Sequence, residues 1–144
     1  MSTVQSPETS PASNTGSGIL TGMKITTSIL VVGVLIQAWL GSSGFFQNES
    51  ALTTGHGHLG NLLFLVAAAQ AGLALFGAQK GLVTRTFAIT SIVGLGLLVA
   101  QIGLGYSTRT SVDALTWHLP NGVLLMAVST WNVILAWSHD GNRA

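Results

Sequence analysis

Four long apolar stretches dominate the chain, running about Ile19–Leu40, His58–Ala78, Leu82–Leu104 and Leu119–Trp137. Each reaches the ~20 residues that a helix needs to cross the hydrocarbon of a bilayer. The stretches are rich in Gly and Ala, which in lipid favours close helix packing more than helix breaking. Trp39, Trp117 and Trp137 stand at their ends, where amphipathic rings anchor at the headgroup level. Ahead of them, residues 1–18 consist mostly of Ser, Thr, Pro, Asn and Gly. Such a segment cannot bury enough surface to offset its ordering entropy, which predicts a disordered tail over 1–18. It has no basic start and no apolar core, so it does not read as a signal peptide. A four-helix transmembrane domain then covers 19–138, and 139–144 form a short C-terminal tail.

Composition strengthens the membrane reading. Of 144 residues, 48% are hydrophobic and only 6% charged, against roughly 25% charged in a soluble domain. So few charges would leave the surface of a water-soluble fold largely uncovered, whereas lipid accepts it. The length allows one domain. The absence of cysteine excludes disulfides, iron–sulfur clusters, cysteine nucleophiles and thiolate zinc sites. Five scattered Lys and Arg with a net charge of +1 give no case for a nucleic-acid partner.

Basic residues set the orientation. The short connection Gln79–Gly81 joins spans two and three on one side. The longer connections Gly41–Gly57 and Tyr106–Trp117 lie on the other. Lys24, Lys80, Arg85 and Arg143 fall on the side of the tail, the short loop and the C-terminus, and only Arg109 on the side of the longer loops. The bias predicts a multi-pass protein of the cell membrane with both termini in the cytoplasm.

The second half of the chain restates the first. Thr27-Ser28-Ile29 with Gly33 and Leu35 corresponds to Thr90-Ser91-Ile92 with Gly96 and Leu98. After a one-residue slip, Gln37-x-x-Leu40-Gly41 corresponds to Gln101-x-x-Leu104-Gly105, and Ala51-Leu52-Thr53 to Ala114-Leu115-Thr116. Finally His58-Leu59-Gly60-Asn61 corresponds to His118-Leu119-Pro120-Asn121. Apolar matches arise easily between membrane segments, so the polar ones (Gln, Thr, His and Asn in the same order) carry the argument. The expected fold is all-α: an integral membrane four-helix bundle made of two repeated helical hairpins, with a pseudo-two-fold axis along the membrane normal. Pro120 is expected in the first turn of the fourth helix, where a missing N–H costs nothing.

That axis sets His58 and His118 face to face near the outer surface. Ionisable residues at the edge of a span mark function by default. Two opposed imidazoles can supply both axial ligands of a haem iron, and a bundle core accepts a flat apolar macrocycle. Gly60, Ala67, Gly94, Gly96, Gly103 and Gly122 are small residues able to make room for it. Arg109 is the nearby cation for the haem propionates. Asn61 and Asn121, one turn inside the histidines, would hydrogen-bond a loop carbonyl or orient an imidazole. Gln37 and Gln101 are expected to bond between helices. His56 keeps a second option open, since His56-Gly57-His58 with His118 could offer three nitrogens to copper or zinc. The repeat selects His58 over His56. His139 reads as a solvated tail residue.

The layout resembles one half of haem A synthase, whose chain is two four-helix halves. In each half of that family, a histidine near the outer start of the second helix pairs with one near the outer start of the fourth. The matching segments here are Thr54-Gly55-His56-Gly57-His58-Leu59-Gly60 and Thr116-Trp117-His118-Leu119-Pro120-Asn121-Gly122, within about residues 19–138. The chain also resembles a family of small uncharacterised four-helix membrane proteins with the same two histidine motifs. The first resemblance implies a haem scaffold. It also implies a glutamate three residues before the first histidine; this chain has Gly55 there relative to His58, or Thr53 relative to His56, and Glu49 is out of register. The loop cysteines of some members are missing too, so the hydroxylation chemistry does not carry over with the scaffold.

The expected function is that of a small b-type cytochrome holding one haem b, acting in electron transfer or as a haem-bearing subunit of a larger membrane complex. With both axial positions filled by protein, electron transfer is favoured over catalysis. One haem near one face cannot alone carry electrons across ~30 Å of hydrocarbon. The expected partners are therefore the lipid bilayer, other membrane redox subunits or a second copy of the chain. Two alternatives stand beside it: a minimal haem A synthase-like enzyme working as a homodimer, and a pigment-binding or structural accessory subunit.

Overall fold

The computed structural model describes residues 11–138, with side chains from Gly16 onward. Four helices follow one another: α1 (Pro11–Phe46), α2 (Ser50–Gln79), α3 (Arg85–Ser107) and α4 (Val112–Ser138). All four are long and apolar enough to cross a membrane. Helix α1 begins eight residues before the expected boundary at Ile19, because residues 11–18 join the apolar run as its first turns. Residues 1–10 and 139–144, with His139 and Arg143, lie outside the described residues.

The expected long loops shrink to short turns. Only Gln47–Glu49 separates α1 from α2, and only Thr108–Ser111 separates α3 from α4. Local chemistry fixes the first turn. Asn48 takes a left-handed conformation (φ 52°), and the Glu49 N–H donates to Gly44 O at 3.0 Å, a Schellman closure with Asn in the usual glycine place. Glu49 then caps α2, its carboxylate accepting from the Ala51 N–H. Gly81 (φ 68°) closes α2 in the same way, with the Leu82 N–H on Gly77 O at 2.8 Å. Thr84 caps α3 by accepting from the Phe87 N–H at 3.2 Å. Ser111 accepts from the Ala114 N–H at the start of α4. Because α4 starts that early, Pro120 sits about two turns inside it rather than in its first turn.

Helix α1 packs against α2 and α4, and α3 packs against the same two, so α2 and α4 stand diagonally across the bundle. Two apolar clusters fill the interior. One holds Met23, Ala74, Phe87 and Ala136; the other holds Leu30, Val34, Leu63, Leu98 and Leu125. Between them runs a buried polar layer of Thr27, Gln70, Ser91, Ser129 and Asn132. Gln70 Nε2 donates to Ser91 Oγ at 3.1 Å, and Thr90 Oγ1 donates to Asn132 Oδ1. The outside is apolar: Ile25, Val32, Leu65, Ile89, Val99 and Val123 are each more than half exposed. No more than 33% of the most apolar window of any helix is buried within the bundle. Most hydrophobic side chains therefore face outward, the reverse of a water-soluble fold.

Candidate functional site

His56, His58 and His118 lie at the end of the bundle that carries the α1–α2 and α3–α4 turns. Two residues apart on one helix, His56 and His58 point in nearly opposite directions. Only one of them can face the bundle axis, and it is His56. His58 is exposed, whereas His56 and His118 are half-buried, with ring centres 6.1 Å apart and planes inclined at 60°. The pairing expected from the sequence is thus displaced by two residues. His118 stands at its expected place, and its opposite ring is that of His56.

Each imidazole lies against a glycine of its own hairpin. A Cβ on Gly41 would stand 3.0 Å from both Cε1 and Nδ1 of His56, and one on Gly105 would stand 3.2 Å from Cε1 of His118. Gly60 and Gly122 face the side-chain amides of Gln37 and Gln101 in the same manner. Gly41 and Gly105 are not among the small residues expected to make room, although both close the repeated Gln-x-x-Leu-Gly pattern. Of those that are, Gly96 and Gly103 face open space, where an added Cβ would meet nothing within 4 Å. Ala67 and Gly94 line a cavity deeper in the bundle.

Hydrogen bonds decide which ring nitrogen carries the proton. His56 Nδ1 lies 3.0 Å from the carbonyl oxygen of Gln37. A carbonyl only accepts, so Nδ1 holds the hydrogen and Nε2 keeps its lone pair. For His118 the assignment runs through a relay. Leu97 O accepts from Asn121 Nδ2 at 2.9 Å, which fixes the Asn121 amide. The same NH2 donates to Gln101 Oε1 at 2.6 Å, which fixes the Gln101 amide. Gln101 Nε2 then faces His118 Nε2 at 3.0 Å as the donor, so this Nε2 is also a lone pair. Both imidazoles are therefore the Nδ1–H tautomer, which leaves Nε2 free to bind metal; only in His56 is the Nδ1–H held by a neighbour. Two buried polar atoms beside them, Gln37 Oε1 and His118 Nδ1, have no hydrogen-bond partner among the described residues.

The remaining expected residues divide. Asn121 belongs to the relay. Asn61 is exposed and donates to the Tyr106 hydroxyl at 3.3 Å. Arg109, also exposed, lies over the Tyr106 ring at 5.9 Å. Asn61, Tyr106 and Arg109 thus form a surface chain beside the histidine pair. The three-nitrogen site of His56, His58 and His118 does not assemble, and no group of three His, Cys, Asp or Glu comes together among the described residues.

The donor set suits a metal that brings its own remaining ligands. Two neutral nitrogens alone leave copper or zinc short of a four-coordinate shell, whereas a haem iron already holds four ring nitrogens and needs two axial ones. Metal–imidazole bonds are about 2 Å long, which puts the ring centres of two opposed ligands about 6 Å apart, close to the spacing of His56 and His118. Side chains of Gln37 and Gln101 fill the space beside the rings, so a planar group entering there must push them aside. Comparison with protein-family models, with curated proteins and with solved structures returns no match.

Proposed function

We propose that the chain is a small integral membrane protein that holds one haem b between His56 and His118 near the outer face. It acts in electron transfer or as the haem-bearing subunit of a larger membrane complex. The observation that carries this reading is the facing imidazole pair, with both Nε2 lone pairs set by hydrogen bonds. Two Nε2 lone pairs on neighbouring half-buried rings offer two ligands to a cation, which must displace the Gln101 amide from His118. When bound, the iron would supply one-electron redox chemistry. The protein orients the rings and holds the Nδ1 proton of His56 on Gln37 O. Arg109 and Tyr106 offer polar contacts at the rim for the propionates.

Membrane insertion is supported by the outward apolar surface and by the tryptophans. Trp117 and Trp137 are twenty residues apart on α4, or about 30 Å along a helix, which matches the hydrocarbon thickness. Lys24 lies over the Trp137 ring at 5.2 Å, placing a cation at the end predicted to be cytoplasmic.

Matched burial supports the duplicated hairpin. Met23/Phe87, Thr27/Ser91 and Val34/Leu98 are buried pairs 64 residues apart, and Leu63/Leu125, Ala67/Ser129, Gln70/Asn132 and Ala74/Ala136 are buried pairs 62 apart. The second spacing also relates His56 to His118. On this reading the true repeat partner of His118 is His56, and the sequence match through His58 is slipped by two.

The test is the absorption spectrum of the purified protein before and after dithionite. Sharp reduced b-type bands are expected in the wild type and in His58→Ala, and their loss in both His56→Ala and His118→Ala. Absence of haem bands in the wild type, or their loss in only one of the last two variants, overturns the proposal.

A further inference from the structure

We infer that Gln101, aimed by Asn121, competes for the Nε2 of His118 and makes His118 the displaceable ligand of the pair, with His56 the permanent one. The inference rests on the haem reading and deepens it by ranking the two ligands.

The two halves of the site differ in what aims the glutamine beside each histidine. In the second hairpin, Asn121 fixes the Gln101 amide through its NH2, so that Gln101 Nε2 donates to the metal-binding nitrogen of His118. At the spacing of 62 that relates His56 to His118, the first hairpin has Leu59 in place of Asn121. Leucine cannot aim Gln37, whose Oε1 has no partner among the described residues. His56 is instead held through Nδ1, by a backbone carbonyl, and among the described residues no donor caps its Nε2. A ligand held on the far nitrogen is preorganised for metal, whereas one capped on the metal-binding nitrogen must first give up a hydrogen bond. If released from a bound iron, His118 has a waiting donor in Gln101, and His56 has none among the described residues. If haem is bound, the chain would then let a small neutral molecule of the carbon monoxide class take the place of His118.

Two measurements test this, one of them without haem. Nitrogen-15 NMR of histidine-labelled apoprotein reads the tautomers. In wild type both rings should be Nδ1–H. In Gln101→Leu an Nε2–H population should appear at His118 alone, with His56 as the internal control. Asn121→Leu, which repeats the first hairpin's residue, should act in the same direction. An unchanged His118, or equal changes at both rings, overturns the inference. In haem-loaded, dithionite-reduced protein, carbon monoxide should bind about fivefold more weakly to Gln101→Leu, the worth of one net hydrogen bond on the released His118. Equal affinities overturn the inference while leaving the haem reading intact. If wild-type protein forms no haem bands, the haem reading fails and the ligand ranking falls with it.

Discussion

A two-residue step along α2 separates a surface imidazole from one that faces the bundle axis. His56 and His58 share a sequence neighbourhood and chemistry, so only helix phase distinguishes them. The close fit of Gly41 and Gly105 under the paired rings can be tested directly. In Gly41→Ala the new methyl would press on Cε1 and Nδ1 of His56 and disturb its bond to Gln37 O. Overpacking of this kind costs about 1–3 kcal/mol, which on the haem proposal is a loss of haem affinity of about fivefold to a hundredfold or more. Gly57→Ala, where a Cβ meets nothing within 4 Å, should retain wild-type affinity. Titration of apoprotein with haemin, followed by absorbance, measures both. Equal affinities for the two variants would show that the glycine contact does not hold His56.

Among the elements, α1 and α2 approach one another through small residues. A Cβ on Gly33 would overlap the Leu63 side chain, which is 1% exposed and has little space into which to move. Gly33→Val should therefore push α1 from α2 and lower stability by about 1–3 kcal/mol, read as a reduced thermal midpoint in detergent. Hydroxyls on these helices are satisfied locally, as membrane helices require. Thr27 donates to Met23 O and Thr130 to Met126 O, each four residues back at 2.9 Å. Gln70 differs: its Oε1 is buried with no partner among the described residues. The spans are recognisable in the sequence because apolar runs are a one-dimensional property. Their ends are not, since polar residues such as Ser42 and Ser43 extend α1 past the apolar run when caps close the turns.

For the whole molecule, the absence of native cysteine allows topology to be read without background. If both termini are cytoplasmic, Thr110→Cys should react with a membrane-impermeant maleimide in intact cells, and Gln79→Cys only after permeabilisation. Both positions are exposed, so the contrast reports sidedness rather than burial. The reverse pattern would invert the bundle and put the histidine pair at the cytoplasmic face. Diagonal placement of α2 and α4 is what brings His56 and His118 together.

Four apolar helices, their order and the concentration of polar chemistry at one end of α2 and α4 are legible without coordinates. They follow from hydropathy, length and the recurrence of Gln, His and Asn. Matching His58-Leu59-Gly60-Asn61 to the second motif follows the better local likeness, whereas the imidazole beside His118 is that of His56. Which histidine faces inward depends on packing, because the phase of α2 is set by burial of Leu63, Ala67, Gln70 and Ala74 far below the site. The ring tautomers depend on it as well. Leu97, Asn121, Gln101 and His118 come from two helices and form one directed chain only when α3 and α4 pack. No linear pattern orders such a chain, since its direction starts from a backbone carbonyl that every residue possesses.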